Sequence, residues 1–180
     1  SEKAIEDLGI NITNSKVCLL GLGGAGQAVL YTLAKNNVNK VCVFVRQNSI
    51  EFRKSYVDKI RSSFSIDVDI YAIEEQMLLS KHINEADLLI NTTKLGMAQD
   101  IDKSPLDDEI KLPEHICVLD LIYNPGETRL LAKAKADGCI RYSNGLNMLV
   151  YQGVKSFEHF TGGNIDIYDI FRVLENAFKF

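Results

Sequence analysis

The sequence predicts a three-layer α/β/α domain built on a doubly wound parallel sheet, with extra helices after the last strand. Short apolar runs recur along the chain with helix-like stretches between them. The runs are continuously apolar, as strands covered on both faces must be, where a half-solvated strand would alternate. The stretches between them carry their apolar residues on a single helical stripe.

In chain order the runs are Lys16 to Leu20, Lys40 to Val45, Val68 to Ala72, Leu88 to Ile90, Ile116 to Leu119 and the weaker Cys139 to Tyr142. Between the first two, the stretch from Ala25 to Asn36 places Ala28, Val29, Leu33 and Ala34 on one stripe. From Glu127 to Asp137, Leu130, Leu131 and Ala134 repeat the pattern, and Gly138 ends that helix. The segment from Lys94 to Glu114 has no periodicity, holds Pro105 and Pro113 and is rich in Asp, so it is expected to be a loop with at most one helical turn. Two helices are expected after the last strand. The first runs from Leu146 to Phe160 with Ser143 or Asn144 as cap. The second runs from Ile167 to Phe178, where Ile167, Ile170, Phe171, Leu174 and Phe178 form a stripe that needs an apolar partner.

At 180 residues, 46% of them hydrophobic, the chain suits one domain spanning residues 1–180, with the C-terminal helices over about 145–180 belonging to it. The net charge of −4 is mild and scattered, which argues against nucleic acid and against a membrane surface, and favours a small-molecule partner. No apolar stretch approaches the roughly 18 residues of a membrane span, and the acidic, polar N-terminus is unlike a signal sequence. A cytoplasmic protein is expected. Cys18, Cys42, Cys117 and Cys139 lie in or beside apolar runs without the close pairing of zinc sites, so they read as reduced, buried thiols. His82, His115 and His159 stand far apart, and no metal site is assigned.

After the first strand comes Gly21-Leu22-Gly23-Gly24-Ala25-Gly26, which satisfies G-x-G-x-x-G and opens straight into a helix. Between a strand and a helix this string marks a Rossmann-type dinucleotide site. Gly21 permits the tight turn, Gly23 lets a pyrophosphate approach the backbone, and Gly26 allows close packing of helix on strand. Exposed amides and the helix dipole then hold the phosphates.

The end of the second strand normally places an acidic residue on the adenosine ribose of NAD. Here Val45-Arg46-Gln47 stands instead. An arginine pairs with a 2′-phosphate through two N–H groups, so NADP is favoured over NAD. Arg53 and Lys54 either add charge to that site or form a solvated helical face.

Three further strings follow: Asn91-Thr92-Thr93-Lys94-Leu95-Gly96-Met97, Asp120-Leu121-Ile122-Tyr123-Asn124-Pro125, and Asn144 to Gly163, which reads NGLNMLVYQGVKSFEHFTGG. With GLGGAG and the arginine of VRQ, they resemble the cofactor domain of the shikimate and quinate dehydrogenase family over nearly the whole chain. The resemblance implies reversible NADPH-dependent reduction of 3-dehydroshikimate to shikimate, in the biosynthesis of aromatic amino acids. It implies that Asn91, Thr92, Leu95 and Met97 line the dinucleotide, with Thr92 and Thr93 bonding near the nicotinamide ribose. Ile122 and Tyr123 would lie beside nicotinamide and substrate, and Gly145, Met148 and Leu149 on the carboxamide side of that pocket. Gln152, with Tyr123, would meet the substrate. Two positions depart from the family pattern. Val45-Arg46-Gln47 replaces Asn-Arg-Thr, which weakens the 2′-phosphate site and leaves NAD open as a second cofactor, and Asn147 stands where glycine is frequent.

Carbonyl reduction also needs a proton donor at the substrate oxygen. In this family a lysine and aspartate pair lies in an N-terminal domain ahead of the glycine-rich turn. Lys3 and Lys16 match nothing in that motif, so no catalytic residue is assigned and the N-terminal domain is expected to be absent. The alternatives are a stand-alone NADP-binding regulatory module, or a quinate or aminoshikimate dehydrogenase relative. A homodimer is compatible with either.

Overall fold

The computed structural model describes residues 9–164, 166, 168–170 and 172–173, and the side chains of Gln152, Lys155 and Ser156 are outside that description. Six strands, β1 (Lys16–Leu20), β2 (Lys40–Val45), β3 (Asp67–Ala72), β4 (Leu88–Asn91), β5 (Cys117–Asp120) and β6 (Tyr142–Asn144), form one sheet in the order β3-β2-β1-β4-β5-β6. Every neighbouring pair is parallel. Helices α1 (Gly24–Lys35), α2 (Ile50–Phe64), α3 (Gln76–Glu85), α4 (Arg129–Ala136) and α5 (Leu146–Thr161) occupy the connections and follow β6. This is the expected doubly wound sheet.

Strand periodicity divides the core in two. Val17, Leu19, Val41, Val43 and Val45 point to one face, where Leu30 and Leu33 of α1 and Val57 and Ile60 of α2 cover them. Cys18, Leu20, Cys42 and Phe44 point to the other, under Leu79 and Ile83 of α3 and Leu130 and Leu131 of α4. The four cysteines are free and buried, and burial pushes the Cys42 and Cys117 thiols up to about 11. No helix forms between Asn91 and Cys117, in agreement with the expected loop. That loop is nonetheless anchored, because Leu106, Ile110 and Leu112 drop into the second core. Burying one such side chain contributes roughly 1.5 to 3 kcal/mol.

Two expectations shift. The last strand lies at Tyr142–Asn144, after the apolar run, because Cys139 completes the end of α4 instead: its N–H donates to Ala134 O at 2.9 Å and its side chain is buried. Gly138, at φ +91°, makes that turn. The N-cap of α5 is Gly145, but Asn144 still satisfies an end amide, with Oδ1 accepting from Leu146 N–H at 3.1 Å. The aromatic helix expected from Ile167 to Phe178 lies, except for a few positions, outside the described residues.

Candidate cofactor-binding cleft

The site begins with the turn after β1. Gly21 adopts φ +88°, a left-handed conformation that favours glycine, and its N–H donates to Phe44 O at 2.8 Å. Thr92, just past β4, donates its hydroxyl to Leu20 O at 2.9 Å and lies 3.1 Å from Gly21 O. The turn is thereby stitched to both neighbouring strands. A Cβ at Gly26 would stand 2.6 Å from Gly21 O, so only glycine lets α1 come this close. At Gly23 and Gly24, by contrast, a Cβ would meet nothing within 4 Å. Helix α1 starts with no side-chain cap and no acidic residue in its first turn. Its first amides therefore lack intrahelical partners beside open space, an arrangement that suits phosphate oxygens.

A cleft of about 440 Å³ opens over this turn at the carboxyl ends of β1, β2 and β4, where the strand order reverses. Gly21, Leu22 and Gly23 form its floor, and Phe44, Val45 and Ile73 give it an apolar side. Arg46, Ser49 and Arg53 rise on one wall; Thr92, Thr93, Lys94, Leu95 and Asp100 make the other. Asp100 is paired with Lys103 at 2.6 Å. Arg46 is exposed and has no carboxylate within ion-pair distance among the described residues, so its guanidinium is available to an anion.

Behind the second wall lies a buried polar hub. Asn91 and Asp120, both fully buried, face each other across β4 and β5, with Asn91 Nδ2 donating to Asp120 Oδ1 at 3.0 Å. Asp120 Oδ1 also accepts from Ile122 N–H at 3.1 Å, and Oδ2 from the Thr128 hydroxyl at 2.7 Å. Thr93 donates both its N–H, at 2.9 Å, and its hydroxyl, at 2.7 Å, to Asn91 Oδ1. Burial raises the Asp120 carboxyl above the usual carboxylate range, and the three hydrogen bonds oppose that rise.

The chain and its fold have close counterparts among known proteins. The family model described as the shikimate 5'-dehydrogenase C-terminal domain matches residues 145–165. A shikimate dehydrogenase (NADP(+)) from Streptococcus pneumoniae is 38% identical over 168 residues, covering 93% of this chain and 58% of that relative. Among solved structures, shikimate 5-dehydrogenase from Listeria monocytogenes, in complex with shikimate and NAD, superposes with a TM-score of 0.89 at 30% identity, covering 96% of this chain and 60% of that one. A shikimate dehydrogenase in complex with NADP+ gives 0.81 at 31% identity, covering 98% and 57%. The chain resembles the shikimate dehydrogenases over nearly its whole length. It corresponds to the C-terminal domain and spans 58% of the length of the curated relative.

Within this shikimate dehydrogenase-type domain, Gly21, Gly23, Arg46, Thr92, Thr93 and Leu95 converge on the cleft. Gly24 and Ala25 are exposed at the start of α1, and Gly26 serves packing. Asn91 is sealed in the hub and holds Thr93, and it does not line the cleft. The Thr92 and Thr93 hydroxyl hydrogens are likewise committed to protein acceptors, which leaves only their oxygens to accept from a ligand. Met97, Ile122, Tyr123, Gly145, Met148 and Leu149 do not line the 440 Å³ cleft. Ile122 is buried, whereas Met97, Tyr123 and Leu149 are exposed. Gly145 has a packing reason of its own, because a Cβ there would fall on the Leu121 carbonyl. Gln152 belongs to α5, with its side chain outside the described residues.

Leu22, Val45 and Lys94 lie within the motifs without being singled out there, and Phe44, Ser49, Ile73 and Asp100 lie outside them. Ile73 was findable as the residue that follows β3 on the ligand-gathering edge of the sheet. Asp100 comes from the aperiodic loop, where no sequence period could place it.

Proposed function

We propose that this chain is the NADP(H)-binding part of an oxidoreductase that interconverts 3-dehydroshikimate and shikimate in the cytoplasm. The observation that carries the reading is the cleft itself: an uncapped glycine-rich helix start opposite an arginine with no ion pair among the described residues, at the switch point of a parallel sheet. Arg46 would hold a 2′-phosphate, the first amides of α1 a pyrophosphate, and the apolar side formed by Phe44, Val45 and Ile73 an adenine. When bound, the nicotinamide supplies or accepts the hydride. Leu95, Met97, Ile122, Gly145, Met148 and Leu149 would border the ring and keep water from it, while Tyr123 and Gln152 orient substrate hydroxyls. The proton for the carbonyl oxygen is assigned to a group outside these residues, in the part of the family's length that this chain does not match. Four reduced, buried thiols support the cytoplasmic assignment, and no described helix is long and apolar enough to cross a membrane.

Calorimetric titration of the chain with NADP+, NAD+ and shikimate tests this. NADP+ should bind better than NAD+, and shikimate alone poorly. Failure of both dinucleotides to bind would overturn the reading.

A further inference from the structure

The loop that carries Arg46 is closed by a carboxylate from the neighbouring strand. Ile73 N–H donates to Val45 O at 2.8 Å, which continues the β2–β3 pairing one step past the strands and brings residue 74 beside residue 47. There Glu74 Oε2 accepts from Gln47 N–H at 3.0 Å. Glu74 is exposed and follows Ile73, which lines the cleft, so its charge sits at the rim on the Arg46 side.

The backbone N–H that directly follows Arg46 is a donor well placed for an anionic oxygen, and the protein fills it with its own. The carboxylate is bound to the amide and does not pair with the guanidinium, since Arg46 has no ion pair among the described residues. A 2′-phosphate drawn to Arg46 would therefore meet a like charge and a donor already in use. The free ribose hydroxyls of NAD are donors, and a carboxylate welcomes them.

On the basis of the dinucleotide reading above, we infer that Glu74 is a specificity-determining residue that acts as an internal competitor of the 2′-phosphate and lowers the preference for NADP over NAD. Arg46 pulls the preference one way and Glu74 the other, so the domain accepts both cofactors.

The test is calorimetric titration of the wild-type chain, Glu74→Gln and Glu74→Ala with NADP+ and NAD+. Glutamine keeps an acceptor for the Gln47 amide without the charge. The ratio of NADP+ to NAD+ affinity should rise roughly twofold to fivefold in both variants, the scale of one exposed charge contact, and the rise should shrink at high salt. An unchanged ratio, with both dinucleotides still binding, would overturn the role of Glu74 and leave the dinucleotide site standing. A fall in the ratio would show instead that Glu74 holds the loop in favour of the phosphate. If the wild type binds neither dinucleotide, both readings fail together.

Discussion

Asn91 and Asp120 are register partners at the carboxyl ends of β4 and β5, joined by a 3.0 Å hydrogen bond with no solvent exposure at either residue. Through Thr93 on one side and Ile122 and Thr128 on the other, this pair ties a wall of the cleft to the loop after β5 and the start of α4. Asp120→Ala would strand three donors in the interior and should cost about 2 to 5 kcal/mol. Asp120→Asn keeps the volume and one acceptor, so denaturant unfolding should place it much nearer the wild type.

The glycines separate by what surrounds them. Gly145→Ala should cost about 1 to 3 kcal/mol of stability, because the new methyl meets the Leu121 backbone. Gly23→Ala has open space and an ordinary φ of −73°, so thermal unfolding should change by no more than about 0.5 kcal/mol. Its dinucleotide affinity should nevertheless fall by about tenfold or more, since the methyl occupies the approach of the pyrophosphate.

Arg46→Ala should cost NADP+ about tenfold to a hundredfold in affinity, the worth of charge-assisted bonds to the 2′-phosphate, and should leave NAD+ nearly unchanged. Paired titrations of the variant with the two cofactors check this.

The β2–β3 side of the sheet carries one pH dependence. Lys40 Nζ lies 2.7 Å from Asp69 and 3.0 Å from Asp67, and the lysine holds the Asp69 carboxyl below its usual value. A depressed carboxyl stabilises the fold above its unfolded pKa, and this contribution is lost as pH falls through the folded one. Asp69→Asn should therefore cost about 0.5 to 1 kcal/mol near neutrality and converge with the wild type in acid. Asp120 has the opposite sign: its raised pKa means stability that is full below the unfolded value and lost as pH rises through the folded one. The Asp120→Asn variant should lack that slope in a urea series across the carboxylate range.

The first two strands could be read to the residue because Lys16 and Lys40 begin apolar runs that turns close. The last strand could not. Cys139 belongs to the apolar run in sequence but to the end of α4 in space, and strand β6 pairs through the polar Tyr142, Ser143 and Asn144. In the site, Gly21, Gly23 and Arg46 were visible because local motif and local chemistry coincide. The burial of Asn91 was not legible, because a motif says which residues gather and not which of them is buried. Glu74 reaches the rim through β2–β3 pairing, a long-range relation that leaves no mark on nearby sequence.

Amide chemical-shift mapping of the isotopically labelled chain during titration with NADP+ tests the central claim most directly. Saturable shifts are predicted at residues 21–26, 46–49 and 92–95. Shifts that do not saturate, or that centre on the polar hollow of Asp87, His115 and Arg141 at the opposite end of the sheet, would contradict it.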